Sequence, residues 1–74
     1  MAMSSSTAPR QLGTRLANAR RRQGLTQDEL ARRANVKVDT VRAIEQGRTR
    51  NPGVFTLLEL ATELDLTLDA LVKD

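Results

Sequence analysis

Residues 38–46 carry side chains that can hydrogen-bond to the edges of base pairs, at a spacing that places them on one face of a helix. At about 100° per residue, Val41 and Ile44 mark the buried side of this helix. The opposite face holds a carboxylate, a guanidinium, a methyl group and an amide, with a branched apolar residue at its margin: Asp39, Arg42, Ala43, Gln46 and Val38. Arginine can donate two hydrogen bonds to guanine, aspartate can accept from cytosine N4, and alanine or valine can contact the thymine methyl. An ordinary solvated helix has a similar composition, so spacing alone leaves both interpretations open.

The residue types that are absent limit the chemistry further. The chain of 74 residues contains no Cys, His, Trp or Tyr and one Phe. Without Cys and His, the usual zinc and iron–sulfur ligand sets and Cys or Ser–His nucleophiles are excluded. The scarcity of aromatic rings argues against modules that stack the bases of single strands or RNA. The carboxylates of residues 59, 63, 65 and 69 indicate a solvated face, so we expect no enzyme activity, cofactor, metal or small-molecule ligand.

Positive charge is concentrated in the first part of the chain, although the net charge is only +3. Residues 1–50 contain eleven Lys or Arg and four Asp or Glu, whereas residues 51–74 contain one and five. Ten of the eleven are arginines, which suit bidentate contacts to phosphate and guanine. This uneven distribution of charge predicts that the first half of the chain faces an anionic partner and that the second half faces away from it.

The chain shows no apolar run of membrane-spanning length and no signal peptide, so we expect a cytoplasmic protein with no membrane partner. Residues 1–8 are rich in Ser, Thr and Ala and carry no charged side chain, which favours a disordered tail. Residues 9–74 are long enough for one small domain.

The segments that position the candidate residues are predicted to be helical throughout. Apolar residues at three- and four-residue spacing predict five helices: residues 9–23, 27–34, 38–46, 54–64 and from 68 onward. Thr26 and Glu29 form a capping box at the start of the second helix, and Gly47 suits the residue that follows the third. Residues 35–37 have the length of a helix-turn-helix connection. The fourth helix has more apolar positions than one buried stripe needs.

With these features the chain resembles the Cro/repressor (Xre-type) helix-turn-helix family. The resemblance runs over residues 16–71. It rests on Arg20, Gly-Leu-Thr-Gln at 24–27, Glu-Leu-Ala at 29–31, Thr-Val at 40–41, Ile-Glu-Gln-Gly at 44–47 and the loop at 48–52. It implies an all-α, compact five-helix lambda-repressor-like domain with the helix-turn-helix in helices 2 and 3. The implied function is that of a sequence-specific transcriptional regulator, a repressor, that binds double-stranded DNA through the major groove.

The resemblance also implies roles for individual residues. Base-edge contacts are implied for Val38, Asp39, Arg42 and Ala43. Backbone phosphate contacts are implied for Gln27, Lys37, Gln46, Arg48 and Arg50. Arg20 and Glu45 match a pair that forms a partly buried ion pair between helices 1 and 3.

Two positions depart from the family pattern. Lys37 stands where a Ser or Thr cap is common, so the third helix loses an N-cap but gains a candidate phosphate contact. Ala43 is too short to hydrogen-bond to a base. Asp39 either reads cytosine or pairs with Arg42 three residues later and orients it, and the sequence leaves both open.

A recognition surface this small favours a homodimer on an inverted-repeat operator. The less basic half should supply the interface, for which the candidates are Val54, Leu57, Leu68 and Val72; core packing is an equal alternative for each. A second function remains open: an antitoxin or other protein-interaction module that neutralises a partner protein and regulates its own operon.

Overall fold

The computed structural model describes residues 8–49 and 52–72, with side chains from residue 11 onward, and within this part it contains five α-helices and no strand. The helices are α1 (Ala8–Arg22), α2 (Gln27–Ala34), α3 (Val38–Glu45), α4 (Val54–Glu63) and α5 (Leu68–Val72). The structure therefore confirms the predicted all-α, five-helix architecture.

The helix ends differ from the predicted ends by one residue in several places. α1 begins at Ala8 rather than at Pro9, so Ala8 does not belong to the predicted tail; residues 1–7 lie outside the described residues. α3 ends at Glu45 and α4 at Glu63, because Gln46 and Leu64 are their C-caps. These shifts are of the size expected where a helix ends in a cap.

The core contains the apolar faces of all five helices. Val41 and Ile44 of α3 are buried as predicted, together with apolar residues of α1 and α2: Leu12, Leu16, Ala19, Leu30, Ala31 and Ala34. Leu25, in the turn before α2, and Leu57, Leu60, Ala61, Leu64 and Leu71, from the remaining helices and their ends, complete the cluster. The surplus apolar residues of α4 are exposed, and Phe55, the only aromatic residue of the chain, is 78% exposed.

α1 and α3 approach each other closely at Gly13. A Cβ atom at this position would sit against the backbone carbonyl of Ile44 and 2.7 Å from the carbonyl oxygen of Glu45. Glycine is therefore required here by packing between two helices, even though it is a poor helix former. The contact fixes how near the carboxyl end of α3 can lie to α1.

The turn between α2 and α3 fixes the relative direction of the two helices. Asn35 adopts a left-handed conformation (φ 59°), and the Val36 N–H donates to the carbonyl of Ala31 at 2.9 Å. This arrangement ends α2 and satisfies one of its last carbonyls. α3 then begins after Lys37, whose side chain makes no capping hydrogen bond.

Two polar side chains, Arg15 in α1 and Gln23 directly after it, connect this part of the chain to the ends of the last two helices. Gln23 Nε2 donates to the carbonyl of Leu64 at 3.0 Å, and Arg15 Nη1 donates to the carbonyl of Leu71 at 3.2 Å. Both acceptors lie at or near helix C-termini, where carbonyls lack intrahelical partners. α1 thus supports α3, α4 and α5.

No helix in the described part of the chain is long and apolar enough to cross a membrane.

Candidate nucleic-acid interface

α3 presents its polar face to solvent because Val41 and Ile44 anchor its other face in the core. Asp39 and Gln46 are exposed, and Val38, Arg42 and Ala43 are partly exposed. The structure thus brings the four predicted base-reading residues together on one accessible surface of α3. Val38 also packs partly against the core, which fits its predicted place at the margin of this face.

Arg42 and Asp39 form an ion pair on this surface. Arg42 Nη1 donates to Asp39 Oδ1 at 3.2 Å, and the two side chains are 43% and 87% exposed. Of the two roles considered for Asp39, the pairing with Arg42 is therefore present in the structure. Both side chains keep further donors and acceptors that face solvent.

An open groove of about 650 Å³ lies between α3 and the start of α4. Its walls include Asp39, Thr40 and Ala43 of α3, and Arg48, Thr49 and Thr56 beyond it. The N-cap of α4 is Gly53, which has no side chain to bond the first N–H groups of that helix. A guanidinium, hydroxyl groups and a helix N-terminus are the donors that phosphate oxygens accept from.

The predicted phosphate-contacting residues lie on both sides of the base-reading face. Lys37 is exposed immediately before α3, and Arg48 is exposed after it, where its Nε donates to Gln46 Oε1 at 2.7 Å. Gln27 is partly exposed at the first residue of α2. Arg50, the remaining candidate, lies outside the described residues.

A hydrogen-bonded cluster behind this face joins the first three helices. Arg20 donates to Glu45 through Nε (2.7 Å) and Nη2 (2.9 Å), and its Nη1 donates to the carbonyl of Leu25 at 2.8 Å. Gln27 Nε2 donates to Glu45 Oε1 at 2.9 Å. The bidentate geometry is the strong form of an arginine–carboxylate contact. Glu45 of α3 is therefore held by α1 and by the first residue of α2.

The ion pair within this cluster is buried, with 9% of the Arg20 side chain and 6% of the Glu45 side chain exposed. The hydrogen bonds that Arg20 donates to Glu45 raise the pKa of Arg20, so the guanidinium remains charged. No buried side-chain nitrogen or oxygen in the described part lacks a hydrogen-bond partner. The cluster therefore braces α3 and leaves Arg20 shielded from an external anion.

The capping box of α2 makes stability depend on pH. The Thr26 N–H donates to Glu29 Oε1 at 2.8 Å, and this hydrogen bond lowers the pKa of Glu29. Because the folded pKa lies below the unfolded value of about 4.3, the carboxylate stabilises the fold fully above that value. Its contribution is lost as the pH falls through the folded pKa.

We therefore expect urea unfolding to show a larger loss of stability between about pH 6 and pH 3 in the wild-type protein than in Glu29→Gln. The amide keeps a carbonyl acceptor for the Thr26 N–H but does not titrate in this range. Equal losses in the two proteins would mean that the Glu29 carboxylate does not contribute in this way.

The candidate dimer residues occupy different environments. Leu57 is buried in the hydrophobic core, which corrects its assignment as an interface residue. Leu68 packs partly against the core. Val54 and Val72 are exposed, together with Phe55 and Leu58.

Sequence reasoning did not identify Phe55 and Leu58 as surface residues, since either could have filled the core stripe of α4. It also missed the bracing role of Gly13. A glycine in the interior of a predicted helix is a signal of close packing that was available in the sequence. The contacts of Gln23 and Arg15 to distant carbonyls left no such local signal.

The short second helix, the three-residue turn and the exposed third helix define a helix-turn-helix protein. The helix-turn-helix family HTH_3 matches residues 16–71, and the chain belongs to this family. The match confirms the resemblance to Xre-type regulators that the motifs indicated. The matched region contains α2, α3 and α4 completely, the second half of α1, and α5 except for its last residue.

Similar proteins are regulators or are described in complexes with DNA or protein. The chain is 41% identical over 56 residues, which are 76% of its length and 71% of the relative's, to y4dJ of Sinorhizobium fredii, an uncharacterized HTH-type transcriptional regulator. Its fold is similar to that of C.AhdI, the restriction-modification controller protein of Aeromonas hydrophila (32% identity, TM-score 0.81, 85% of this chain and 94% of the other).

The fold is also similar to that of SinR, a master regulator for biofilm formation solved in complex with DNA. The identity is 27% and the TM-score 0.81, over 84% of this chain and 98% of the SinR chain. In a structure of the SinR–SinI protein complex, the matching region spans only 61% of the other chain, with a TM-score of 0.83.

Proposed function

We propose that this protein is a sequence-specific double-stranded DNA-binding transcriptional regulator, a repressor that acts in the cytoplasm. The observation that carries the proposal is the solvent-facing surface of α3, where Arg42, Asp39 and Ala43 lie together beside an open polar groove. A helix of this size fits the major groove of B-DNA. The presence of DNA in the structure of the relative SinR supports the same function.

The proposed interface divides into base-reading and phosphate-binding parts. On α3, Arg42 and Asp39 offer polar contacts to base edges, and Val38 and Ala43 offer methyl contacts to thymine. Residues around them supply the phosphate contacts: Lys37, Gln27, Gln46, Arg48 and Arg50. The binding constant should fall with salt at a logarithmic slope of about −0.9 for each phosphate neutralised. Arg20 is not part of the interface, because Glu45 and Leu25 occupy its donors.

We propose that the operator is an inverted repeat bound by a homodimer. One α3 reads only a few base pairs, and two copies related by a two-fold axis read half-sites centred about 34 Å apart, or a multiple of that distance. Val54 and Val72 are exposed on the acidic half and remain candidates for the interface, as does Leu68, which packs partly against the core. Phe55 and Leu58 extend the same exposed apolar part of α4.

A second function is favoured by that apolar surface, which could dock a different protein instead of another copy. In this alternative the domain is an antitoxin or interaction module and regulates its own operon secondarily. We propose no catalytic role: Glu59, Asp65 and Asp69 are exposed, and no group of acidic residues in the described part of the chain is arranged to hold a metal ion.

Selection of bound sequences from a random duplex pool tests the proposed function. Recovery of an inverted repeat would support the proposed operator, the proposed distance between its half-sites and the proposed homodimer together. Recovery of no consensus at moderate salt would contradict sequence-specific binding and favour the interaction module.

Two arginine variants separate base reading from phosphate binding. Arg42→Ala should cost about 1–3 kcal/mol on the selected operator and relax specificity at one position, because a bidentate base contact is lost. Arg48→Ala should weaken binding to all sequences alike and reduce the salt slope by about one. Competition binding on matched duplexes at several salt concentrations measures both effects. Unchanged operator discrimination in Arg42→Ala would show that α3 does not read the operator through this residue.

A further inference from the structure

We propose that Asp39 and Arg42 act as one reading unit, in which Arg42 binds guanine and Asp39 is the positioning residue that fixes its guanidinium. The inference rests on the proposed function and specifies part of the operator. It assigns a guanine to Arg42 and a base with an exocyclic amino group, cytosine or adenine, to the position next to Asp39.

The N–H groups that Arg42 needs for binding guanine are not used in its ion pair with Asp39. Only Nη1 of Arg42 is bonded to Asp39, and no other side-chain hydrogen bond of Arg42 is found in the described part of the chain. The edge formed by Nε and Nη2 is therefore available for O6 and N7 of guanine. A guanidinium held in place before binding loses less side-chain entropy when it meets the base.

Asp39 is the acid that can perform this positioning. Glu45 also lies three residues from Arg42, but its two oxygens are occupied by Arg20 and Gln27. The Asp39 side chain is 87% exposed and lies at the wall of the groove, so one of its oxygens faces solvent beside Arg42. That oxygen would accept from cytosine N4 or adenine N6 and would repel the acceptors of thymine and guanine.

Electrostatics separates this role from a merely structural one. An exposed ion pair at neighbouring helix positions contributes little to stability. A carboxylate near phosphates also weakens binding to DNA of any sequence through repulsion. A surface acid without a positioning role would therefore lower affinity uniformly and leave the preference for guanine unchanged.

The test measures operator affinity and base preference separately in Asp39→Ala. Dissociation constants are compared for the selected operator, for the same duplex with the assigned guanine replaced, and for an unrelated duplex. We expect Asp39→Ala to bind the unrelated duplex more tightly than wild type and to lose about fivefold to tenfold in discrimination for guanine. Asp39→Asn, which keeps an acceptor for Arg42, should retain most of that discrimination.

Two controls make the result specific. Asp28→Ala removes an exposed acid from α2 of the same helix-turn-helix, and we expect it to tighten binding to all three duplexes without changing their ratios. In the Arg42→Ala background, Asp39→Ala should cause no further loss of guanine preference. Full discrimination in Asp39→Ala would overturn the inference but leave the proposed function standing. If the wild-type protein itself selected no sequence, the proposed function would fail, and the inference with it.

Discussion

Replacement of Glu45 by alanine is expected to lower the free energy of unfolding by about 3–5 kcal/mol, because it leaves the buried charge of Arg20 without its partner. The remaining bond from Arg20 to the Leu25 carbonyl holds the guanidinium in the same poorly hydrated site. Gln27 also loses its acceptor on α3. A loss of this size approaches the whole stability of a small domain. Urea unfolding followed by the helical circular dichroism signal measures it.

Glu59→Ala is the matched control for this substitution. Glu59 is an exposed glutamate within a helix, and its replacement should change the free energy of unfolding by less than about 0.5 kcal/mol. The double variant Arg20→Met/Glu45→Met should be more stable than Glu45→Met alone, because it removes both charges from the buried site. Similar stabilities for Glu45→Ala and Glu59→Ala would contradict the bracing role of the ion pair.

The second large effect is expected for Gly13→Ala, which should destabilise the protein by about 3 kcal/mol. The added methyl group meets the backbone carbonyls of Ile44 and Glu45, and backbone atoms cannot rotate away as a flexible side chain could. α1 and α3 must separate, which also disturbs the Arg20–Glu45 contact between them. Thermal and urea unfolding of the wild type and the variant measure the change.

The sign of this effect is a strong test, because helix propensity alone predicts the opposite. Alanine is favoured over glycine inside a helix by about 1 kcal/mol, so a Gly13→Ala protein without the clash would be more stable than wild type. Gly53→Ala serves as the control: a Cβ there has only Thr56 Oγ1 nearby, at 3.8 Å, and the backbone φ of −61° suits alanine. Stabilisation by Gly13→Ala would mean that the two helices are not held this closely.

Local patterns in the sequence were sufficient to predict the helices and the face of α3 that turns to solvent. The buried positions Val41 and Ile44, three residues apart, determine which face of a short helix turns to solvent. The capping box at Thr26 and the glycine after α3 set helix ends within about one residue, since caps act through neighbouring backbone groups. The pairing of Asp39 with Arg42 was also within reach of the sequence as one of two alternatives, since it spans three residues of one helix.

The exposed part of α4 shows where local patterns were insufficient. Leu57 and Leu58 are adjacent and chemically identical, yet one is buried in the core and the other is exposed. Which of them faces inward depends on the direction from which α2 and α5 approach α4. That direction is set by contacts between residues far apart in the chain, such as Gln23 with Leu64 and Arg15 with Leu71.

The sequence by itself determined five helices, a basic first half and a third helix whose polar face carries Arg42 and Asp39, because helical periodicity and charge are properties of neighbouring residues. The tertiary structure decided how that helix is held. Arg20 and Glu45 are 25 residues apart in sequence, and they meet only because Gly13 lets α1 and α3 approach closely. Removal of one partner lowers the free energy of unfolding strongly because the ion pair is buried, and that burial arises only when the helices pack together.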